Sequence, residues 1–410
     1  MAKLTRNARR VGRLSGHTGD TPAASRQRVP WRREPLCAAR PDKAAPPVSP
    51  VTASVSRRTH ASKYSRPSSP PTKAKPTPRH ARKPIGGGRR VPPGEQKARP
   101  AGRTRQRGTA MAAVEVPVID LRLAGASQEE SARLRAACER LGCVRVTGHG
   151  VPPELLAEMK AAVRALFDLP DDAKRRNADV IPGSGYVPPS AANPLYEAFG
   201  LLDAAAPADV DAFCARLDAP PHLRATVKSY AERMHDVIVD VAGKLASSLG
   251  LEEHSFKDWP CQFRINRYNY TEGTVGSPGV QTHTDSGFLT VLQEDECVGG
   301  LEVLDPATGE FVPVDPVAGS FLINIGDVGT AWSNGRLHNV RHRVQCVAPV
   351  PRISIAMFLL APKDDRVSAP EAFVDEGHPR RYREFNYDDY RRLRLSTGER
   401  AGEALARLAA

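Results

Sequence analysis

Apolar residues recur at helical spacing in three stretches of the chain. Residues 128–141, 152–169 and 221–249 each place their apolar side chains on one face, with charged residues between them. Gly250 follows the third stretch, at a position where glycine commonly ends a helix. Residues 171–220 are rich in Pro, Ala, Asp and Gly, and we predict loops there. The first half of the folded chain is therefore predicted to be mainly helical.

The pattern changes to short alternating segments in the second half, punctuated by Gly, Pro and Asn. Two short strands, 116–121 and 144–147, flank the first helix, and eight more are predicted further on. The eight are 263–270, 280–283, 288–293, 301–304, 311–314, 320–325, 337–347 and 352–360. Charged segments at 387–395 and 398–408 predict closing helices. The expected fold class is α+β, with a double-stranded β-helix, or jelly roll, flanked by helices.

Charge divides the chain into two unlike parts. Residues 1–110 contain 27 Lys and Arg against 4 Asp and Glu, and 16 of the 37 prolines, so the remainder is acidic despite the overall net charge of +13. Such a segment has too little apolar surface to offset the entropy of ordering, and we predict a disordered basic extension. The predicted organisation is this extension, a helix-and-strand region over 114–250, the jelly roll over 260–362 and a helical segment over 363–410.

The extension has several interpretations. Its arginine clusters could bind nucleic acid or an anionic membrane, or it could be a transit segment for a plastid. We favour an unstructured addition, since Met111 directly precedes the first strand and resembles a natural start. For the folded body we expect no nucleic-acid partner.

Seven cysteines form no Cys-x-x-Cys pair, so no disulfide framework or zinc ribbon is indicated. No apolar run is long enough to cross a bilayer, and the amino terminus has no hydrophobic signal core. We therefore expect a soluble protein in a reducing compartment, the cytoplasm, without a membrane partner.

The most informative motif is His283-Thr-Asp285, followed 57 residues later by His342. On an extended strand the His and Asp side chains share a face, and a second strand could bring His342 to the third corner. Two imidazoles and a carboxylate on one face of an octahedral ion leave the other face open, as non-haem Fe(II) oxygenases require. His338 has the same strand parity as His342, but the His-Arg-Val context and the ten-residue step to Arg352 favour His342.

An anchor for an anionic co-substrate follows the triad. Arg352 and Ser354 share a face by parity, and we expect Arg352 to return on a strand that neighbours that of His342. A guanidinium paired with a hydroxyl suits one carboxylate of a diacid such as 2-oxoglutarate, whose other end would chelate the metal.

These motifs, in this order with Ser333-Asn-Gly335, resemble the plant 2-oxoglutarate- and Fe(II)-dependent dioxygenases. The likeness covers about residues 114–409. It implies Fe(II), 2-oxoglutarate and dioxygen, with ascorbate in support, and oxidative decarboxylation of 2-oxoglutarate coupled to oxygenation of a small molecule. It also places Asn266 and Tyr268 near the co-substrate. No catalytic residue beyond the metal centre is implied.

Longer strings are similar to the branch called dioxygenase for auxin oxidation. They are Asn193-Pro-Leu-Tyr-Glu-Ala-Phe-Gly200, Asp211-Ala-Phe-Cys214, Trp259-Pro-Cys-Gln-Phe263 and Ser333-Asn-Gly-Arg-Leu-His338. The resemblance implies oxidation of indole-3-acetic acid, or of its amino-acid conjugates, to the 2-oxindole. That reaction would inactivate the hormone.

The substrate pocket is less well specified by the sequence. Tyr186, Tyr196, Phe199, Trp332 and Phe358 are candidates to line an aromatic slot, although core packing would explain each equally well. Candidates for a cation that binds the substrate carboxylate include Arg267 and Arg336.

Two alternative functions remain open at this point. The same chemistry could act on a gibberellin, a flavonoid or a jasmonate, because pockets in one fold vary through their loops. Alternatively, the basic extension could be the functional part of a binding protein whose barrel is catalytically silent, although the intact ligand residues argue against this.

Overall fold

The computed structural model describes residues 115–181, 183–362 and 366–410. The predicted basic extension, residues 1–110, lies outside these described residues. The strands are β1 Val118–Asp120, β2 Cys143–Thr147, β3 Tyr196–Leu201, β4 Cys261–Tyr268, β5 Pro278–His283, β6 Leu289–Gln293, β7 Leu301–Leu304, β8 Phe311–Pro313, β9 Phe321–Ile325, β10 His342–Gln345, β11 Arg352–Leu359, β12 Arg366–Val367 and β13 Phe385–Asn386. The helices are α1 Gln128–Arg140, α2 Pro153–Phe167, α3 Asp171–Lys174, α4 Pro207–Arg216, α5 Pro221–Ser248, α6 Asp327–Trp332, α7 Tyr387–Thr397 and α8 Glu403–Ala406.

Two facing sheets form the jelly roll. The larger has seven strands in the order β1-β2-β9-β6-β11-β4-β3, and the smaller has four in the order β5-β10-β7-β8. All eight strands predicted between residues 262 and 360 are present, and the predicted fold class is confirmed. Helix α5 packs against α1, α2 and α4 on one side and against β6 and β11 on the other, so helices cover the outer face of the larger sheet.

Local sequence explains where the main helices begin and end. The side chain of Ser127 accepts a hydrogen bond from the Glu130 amide and so caps α1. Proline stands in the first turn of α2, α4 and α5, where its missing N–H costs nothing. Gly250 follows the end of α5, as predicted, and its φ of +90° is one that glycine adopts readily. None of the described helices combines the length and the apolar character needed to cross a bilayer.

The prediction of loops over residues 171–220 is wrong, because α3, β3 and α4 lie there. Strand β3 pairs with β4 at the edge of the larger sheet. Its polar Glu197 is buried among the side chains of Lys174, Tyr186 and Arg267, which supply its hydrogen bonds or ion pairs. Tertiary pairing therefore overrides a composition that is typical of loops.

Two predicted elements are shorter in the structure than expected, and one helix was not predicted. The unpredicted helix is α6, which is buried at all six positions and so shows no amphipathic periodicity. The strand predicted over 337–347 is limited to β10. The chain turns at Asn334 and Gly335, whose φ angles are +54° and +77°, and becomes a strand only at His342. The helix predicted over 398–408 is limited to α8, since Gly402 has φ of +95°.

Candidate active site

Three predicted metal ligands meet at the edge of the smaller sheet. His283 ends β5, His342 begins β10, and the antiparallel register places the two residues opposite each other. Asp285 Oδ1 lies 3.8 Å from Nε2 of each histidine, and the three ligand atoms all lie within 4.8 Å of one another. The predicted geometry is wrong in one respect: β5 ends at His283, so Asp285 reaches the site from the turn that follows, not from the strand.

Backbone carbonyls orient both imidazoles. His283 Nδ1 lies 2.9 Å from the carbonyl oxygen of Gln281, and His342 Nδ1 lies 3.2 Å from that of Val340. A carbonyl can only accept, so each Nδ1 carries the proton and donates it. Each Nε2 is left with a free lone pair that faces the other ligands.

A hydrogen bond also orients the third predicted ligand, Asp285. Thr290 Oγ1 donates a 2.6 Å hydrogen bond to Asp285 Oδ2, which leaves Oδ1 towards the two histidines. Two causes lower the pKa of His283 to about 4: burial is the larger, and the nearby His342 is the second. His283 is therefore neutral at physiological pH, the form that binds a metal. The donor set of two imidazoles and one carboxylate fits Fe(II).

Arg352 is the most unusual residue of the cavity. It is only 1% exposed, and none of its three guanidinium nitrogens has a hydrogen-bond partner among the described residues. Its guanidinium lies 5.2 Å from the centre of the Tyr268 ring. An unpaired buried cation is costly, so this position fits a ligand that brings a carboxylate.

The prediction that Arg352 lies on a strand next to that of His342 is wrong. Strand β11 belongs to the larger sheet and β10 to the smaller one, because the chain crosses between the sheets after Gln345. The consequence favours the predicted chemistry. Metal ligands and guanidinium line one cavity from opposite walls, which leaves space for a co-substrate between them.

The side chains predicted to surround the co-substrate lie beside Arg352. Register pairs Arg352 with Tyr268 and Ser354 with Asn266 across β11 and β4. Asn266 Nδ2 donates to Ser354 Oγ at 3.2 Å, and the Tyr196 hydroxyl donates to Asn266 Oδ1 at 2.8 Å. Tyr196 therefore fixes the orientation of the Asn266 amide.

The cavity has a volume of about 560 Å³, within the range typical of small-molecule sites. Of the predicted aromatic candidates, Tyr196 and Phe358 line it. Tyr186, Phe199 and Trp332 do not line it and pack elsewhere. Phe199 stacks between Phe167 and Tyr186.

Trp332 packs in a separate aromatic cluster with Phe256, Phe288 and Phe373. An aromatic residue in the core and one in a pocket give the same sequence signal, so periodicity could not separate them.

The two cations suggested for a substrate carboxylate also lie elsewhere. Arg267 lies on the opposite face of β4 from Asn266 and Tyr268, where it bonds to Glu197 and Asp168. Arg336 lies over the ring of Phe373, with 4.3 Å between the guanidinium carbon and the ring centre. Neither lines the cavity.

A hydrogen-bond network joins the carboxyl-terminal segment to the metal-ligand turn. Thr284, the residue between two predicted ligands, is buried, and its amide donates to the Arg400 carbonyl at 2.8 Å. Arg394 Nη2 donates to the Thr284 carbonyl at 2.8 Å, while Nη1 contacts Asp327. Asp327 also accepts from Tyr390 at 2.6 Å and Asn339 at 2.7 Å, and its amide donates to the Asp285 carbonyl at 2.8 Å.

Arg394→Met should weaken Fe(II) binding by about 10- to 100-fold, as losses of outer-shell partners typically do. The physical reason is that Thr284 would lose the donor that holds its carbonyl, which frees the backbone between two ligands. The measurement is a Fe(II) competition titration under anaerobic conditions. Arg392→Met is the matched control, because Arg392 lies on the same helix and, among the described residues, forms its ion pair with exposed Asp389. Equal affinities for the two variants would contradict the expectation.

Sequence reasoning missed several residues of this site. Thr290 and Arg394 gave no signal, because their roles depend on contacts between segments distant in the chain. Arg264 could have been found: it shares strand parity with Asn266 and Tyr268, and it lines the cavity with them.

Comparison with protein-family models assigns the fold and the site to one class. Residues 260–361 match the 2OG-Fe(II) oxygenase superfamily, and residues 116–195 match the model described as "non-haem dioxygenase in morphine synthesis N-terminal". The chain belongs to the 2OG-Fe(II) oxygenase superfamily. It is a dioxygenase that uses Fe(II) and 2-oxoglutarate.

Among known proteins, the chain is 83% identical over 299 residues to the 2-oxoglutarate-dependent dioxygenase DAO of Oryza sativa subsp. indica, covering 72% of this chain and 100% of that protein. A rice gibberellin 2-beta-dioxygenase 2 is 32% identical, with 69% of this chain and 85% of that protein covered.

Solved structures agree with this placement. The crystal structure of the dioxygenase for auxin oxidation in rice has 82% sequence identity and a TM-score of 0.68, with 72% of this chain and 100% of that chain covered. Dioxygenase for auxin oxidation 1 from Arabidopsis thaliana, in a binary complex with 2-oxoglutarate, has 50% identity and a TM-score of 0.63, covering 65% and 100%.

Proposed function

We propose that the chain oxidises auxin, indole-3-acetic acid or an amino-acid conjugate, at carbon 2 of the indole to give the 2-oxindole. The observation that carries this proposal is the 83% identity to the rice dioxygenase DAO over that protein's full length. The site supports it with a candidate metal-ligand cluster, a buried guanidinium that has no hydrogen-bond partner among the described residues, and a cavity of suitable volume.

In this proposal His283, Asp285 and His342 hold Fe(II). Arg352 and Ser354 bind the far carboxylate of 2-oxoglutarate, beside Asn266 and Tyr268. When bound, the metal and the co-substrate together supply the activation of dioxygen, with 2-oxoglutarate leaving as succinate and carbon dioxide.

In this proposal the protein's own residues orient the reactants. Backbone carbonyls keep the imidazole lone pairs pointing inward, and Thr290 keeps one carboxylate oxygen of Asp285 available. Burial raises the pKa of the Tyr268 phenol, so this side chain is neutral beside the co-substrate. Apolar Ala356, Phe358 and Leu360 line the cavity wall and suit an indole ring.

We expect indole-3-acetate or its aspartate conjugate to stimulate release of succinate, with a product heavier by one oxygen atom in mass spectrometry. Reactions contain Fe(II), ascorbate and 2-oxoglutarate, and reactions without 2-oxoglutarate are the control. A gibberellin, a flavonoid and a jasmonate complete the panel. Failure of both auxins together with turnover of a gibberellin would refute the proposal and favour the chemistry of the gibberellin 2-beta-dioxygenase, 32% identical to this chain.

A further inference from the structure

Five arginines line the cavity, and a carboxylate substrate requires one whose charge is available. The five are Arg264, Arg352, Arg391, Arg394 and Arg400. The proposed co-substrate takes Arg352. Arg394 already contacts Asp327 and holds the Thr284 carbonyl.

The other two arginines of the carboxyl-terminal segment are less well placed. The Arg391 guanidinium lies over the ring of Tyr387, 5.8 Å from its centre. Arg400 is exposed, and its backbone carbonyl is held by Thr284. An exposed guanidinium binds a carboxylate weakly, because water screens the charge.

Arg264 differs from all of these. It lies in the middle of β4 and is half-buried, and its side chain faces the cavity on the same side as Asn266 and Tyr268. Arg264 Nη1 donates a hydrogen bond of 3.3 Å to the carbonyl of Gly185. No carboxylate of the described residues forms an ion pair with it, although the folded body is acidic.

Small residues surround this guanidinium. Register places Ala356 opposite Arg264 on β11, with Phe358 opposite Gln262. On the other side, a Cβ added to Gly183 would lie 3.4 Å from Arg264 Nη2. Ala356 and Gly183 thus leave open space around a charged fork, and the ring of Phe358 lines the same cavity.

Arg264 is also separated from the proposed co-substrate anchor. Arg352 pairs with Tyr268, and Arg264 is four residues from Tyr268 along β4, about 13 Å at about 3.3 Å per residue. One small diacid bound at Arg352 and the metal therefore leaves Arg264 for a second anion.

We propose that Arg264 binds the carboxylate of the substrate and thereby sets which edge of its aromatic ring faces the metal. This inference rests on the proposed function, since it requires an organic acid as substrate. A planar guanidinium can bind a carboxylate through two parallel N–H donors, which fixes orientation as well as affinity. The competing role is structural: the bond to Gly185 would only hold the loop against β4.

The test compares an acid with a neutral analogue of the same shape. Wild type, Arg264→Met and Arg264→Lys are assayed with indole-3-acetate and with indole-3-acetamide. We expect Arg264→Met to raise KM for the acetate by about 10- to 100-fold, the size expected for hydrogen bonds to a charged group. KM for the acetamide should change less than about threefold, because the amide lacks the charge. Arg264→Lys should restore part of the loss by keeping the charge without the fork.

Arg400→Met represents the competing anchor, and we expect it to keep the preference for acid over amide. KM for 2-oxoglutarate and the melting temperature are measured for every variant, so that a folding defect is recognised. Equal losses on acid and amide, or loss of the acid preference in Arg400→Met, would overturn the anchor and leave the proposed function standing. If the wild type turns over neither indole-3-acetate nor its conjugates, the proposed function fails, and the anchor fails with it.

Discussion

His342→Ala should abolish detectable 2-oxoglutarate-dependent turnover. Removing one of three ligands leaves a carboxylate and one imidazole, so we expect a loss of more than the ~10- to 100-fold seen for outer-shell residues, about 1,000-fold or greater. Bound iron, measured by elemental analysis after gel filtration, should fall in parallel with activity.

His338→Ala is the matched control for this experiment. His338 has the same strand parity as His342, so parity alone does not separate the two, and the choice of His342 rests on the His-Arg-Val context and the step to Arg352. In the structure His338 lies before β10 and outside the cavity lining, and its amide bonds to the Cys138 carbonyl. The control should keep its iron and most of its turnover. If His338→Ala lost iron while His342→Ala kept it, the ligand assignment would be wrong.

Arg352→Met should raise KM for 2-oxoglutarate by about 30- to 5,000-fold, because loss of one partner from a buried charge pair costs about 2–5 kcal/mol. Kinetics at saturating auxin, with 2-oxoglutarate varied, measure this. Arg352→Lys should recover only part of the affinity, since a single ammonium replaces a planar fork.

Arg352→Met should also have an unusual effect on the stability of the ligand-free protein. The three guanidinium nitrogens of Arg352 are buried without partners among the described residues. Methionine should therefore leave the melting temperature of the ligand-free protein unchanged or raise it, since an uncompensated buried charge is removed. Added 2-oxoglutarate should raise the melting temperature of the wild type and not that of the variant. A large loss of stability in ligand-free Arg352→Met would show that the guanidinium has a structural role instead.

The sequence predicted the parts of this site that depend on local pattern. Short segments punctuated by Gly, Pro and Asn identified all eight strands of the jelly roll. Strands β7 and β10 alternate buried and half-buried positions, whereas β6 and β9 are buried at every position. The His-x-Asp spacing and the context of His342 were enough to propose His283, Asp285 and His342 as metal ligands. In the structure β5 and β10 are neighbours, and their register aligns the two histidines. Parity likewise predicted that Arg352 and Ser354 share a face.

What the sequence could not supply depends on contacts between distant segments. Whether an aromatic residue lies in the core or the cavity depends on what packs on it, so Phe199 and Trp332 were misplaced while Phe358 was not. Strand β3 forms because β4 offers a free edge, and its own residues resemble a loop. The contact of Arg394 with Asp327 joins residues 67 positions apart, which no periodicity encodes.

The central claim is that three side chains from β5, its following turn and β10 hold iron opposite Arg352. Crystals grown without oxygen in the presence of Fe(II) and 2-oxoglutarate, measured at the iron absorption edge, test it most directly. We expect one anomalous peak within bonding distance of Nε2 of His283, Nε2 of His342 and Oδ1 of Asp285, with the far carboxylate of 2-oxoglutarate on the Arg352 guanidinium. An iron peak elsewhere, or a co-substrate whose carboxylate lies away from Arg352, would contradict the account.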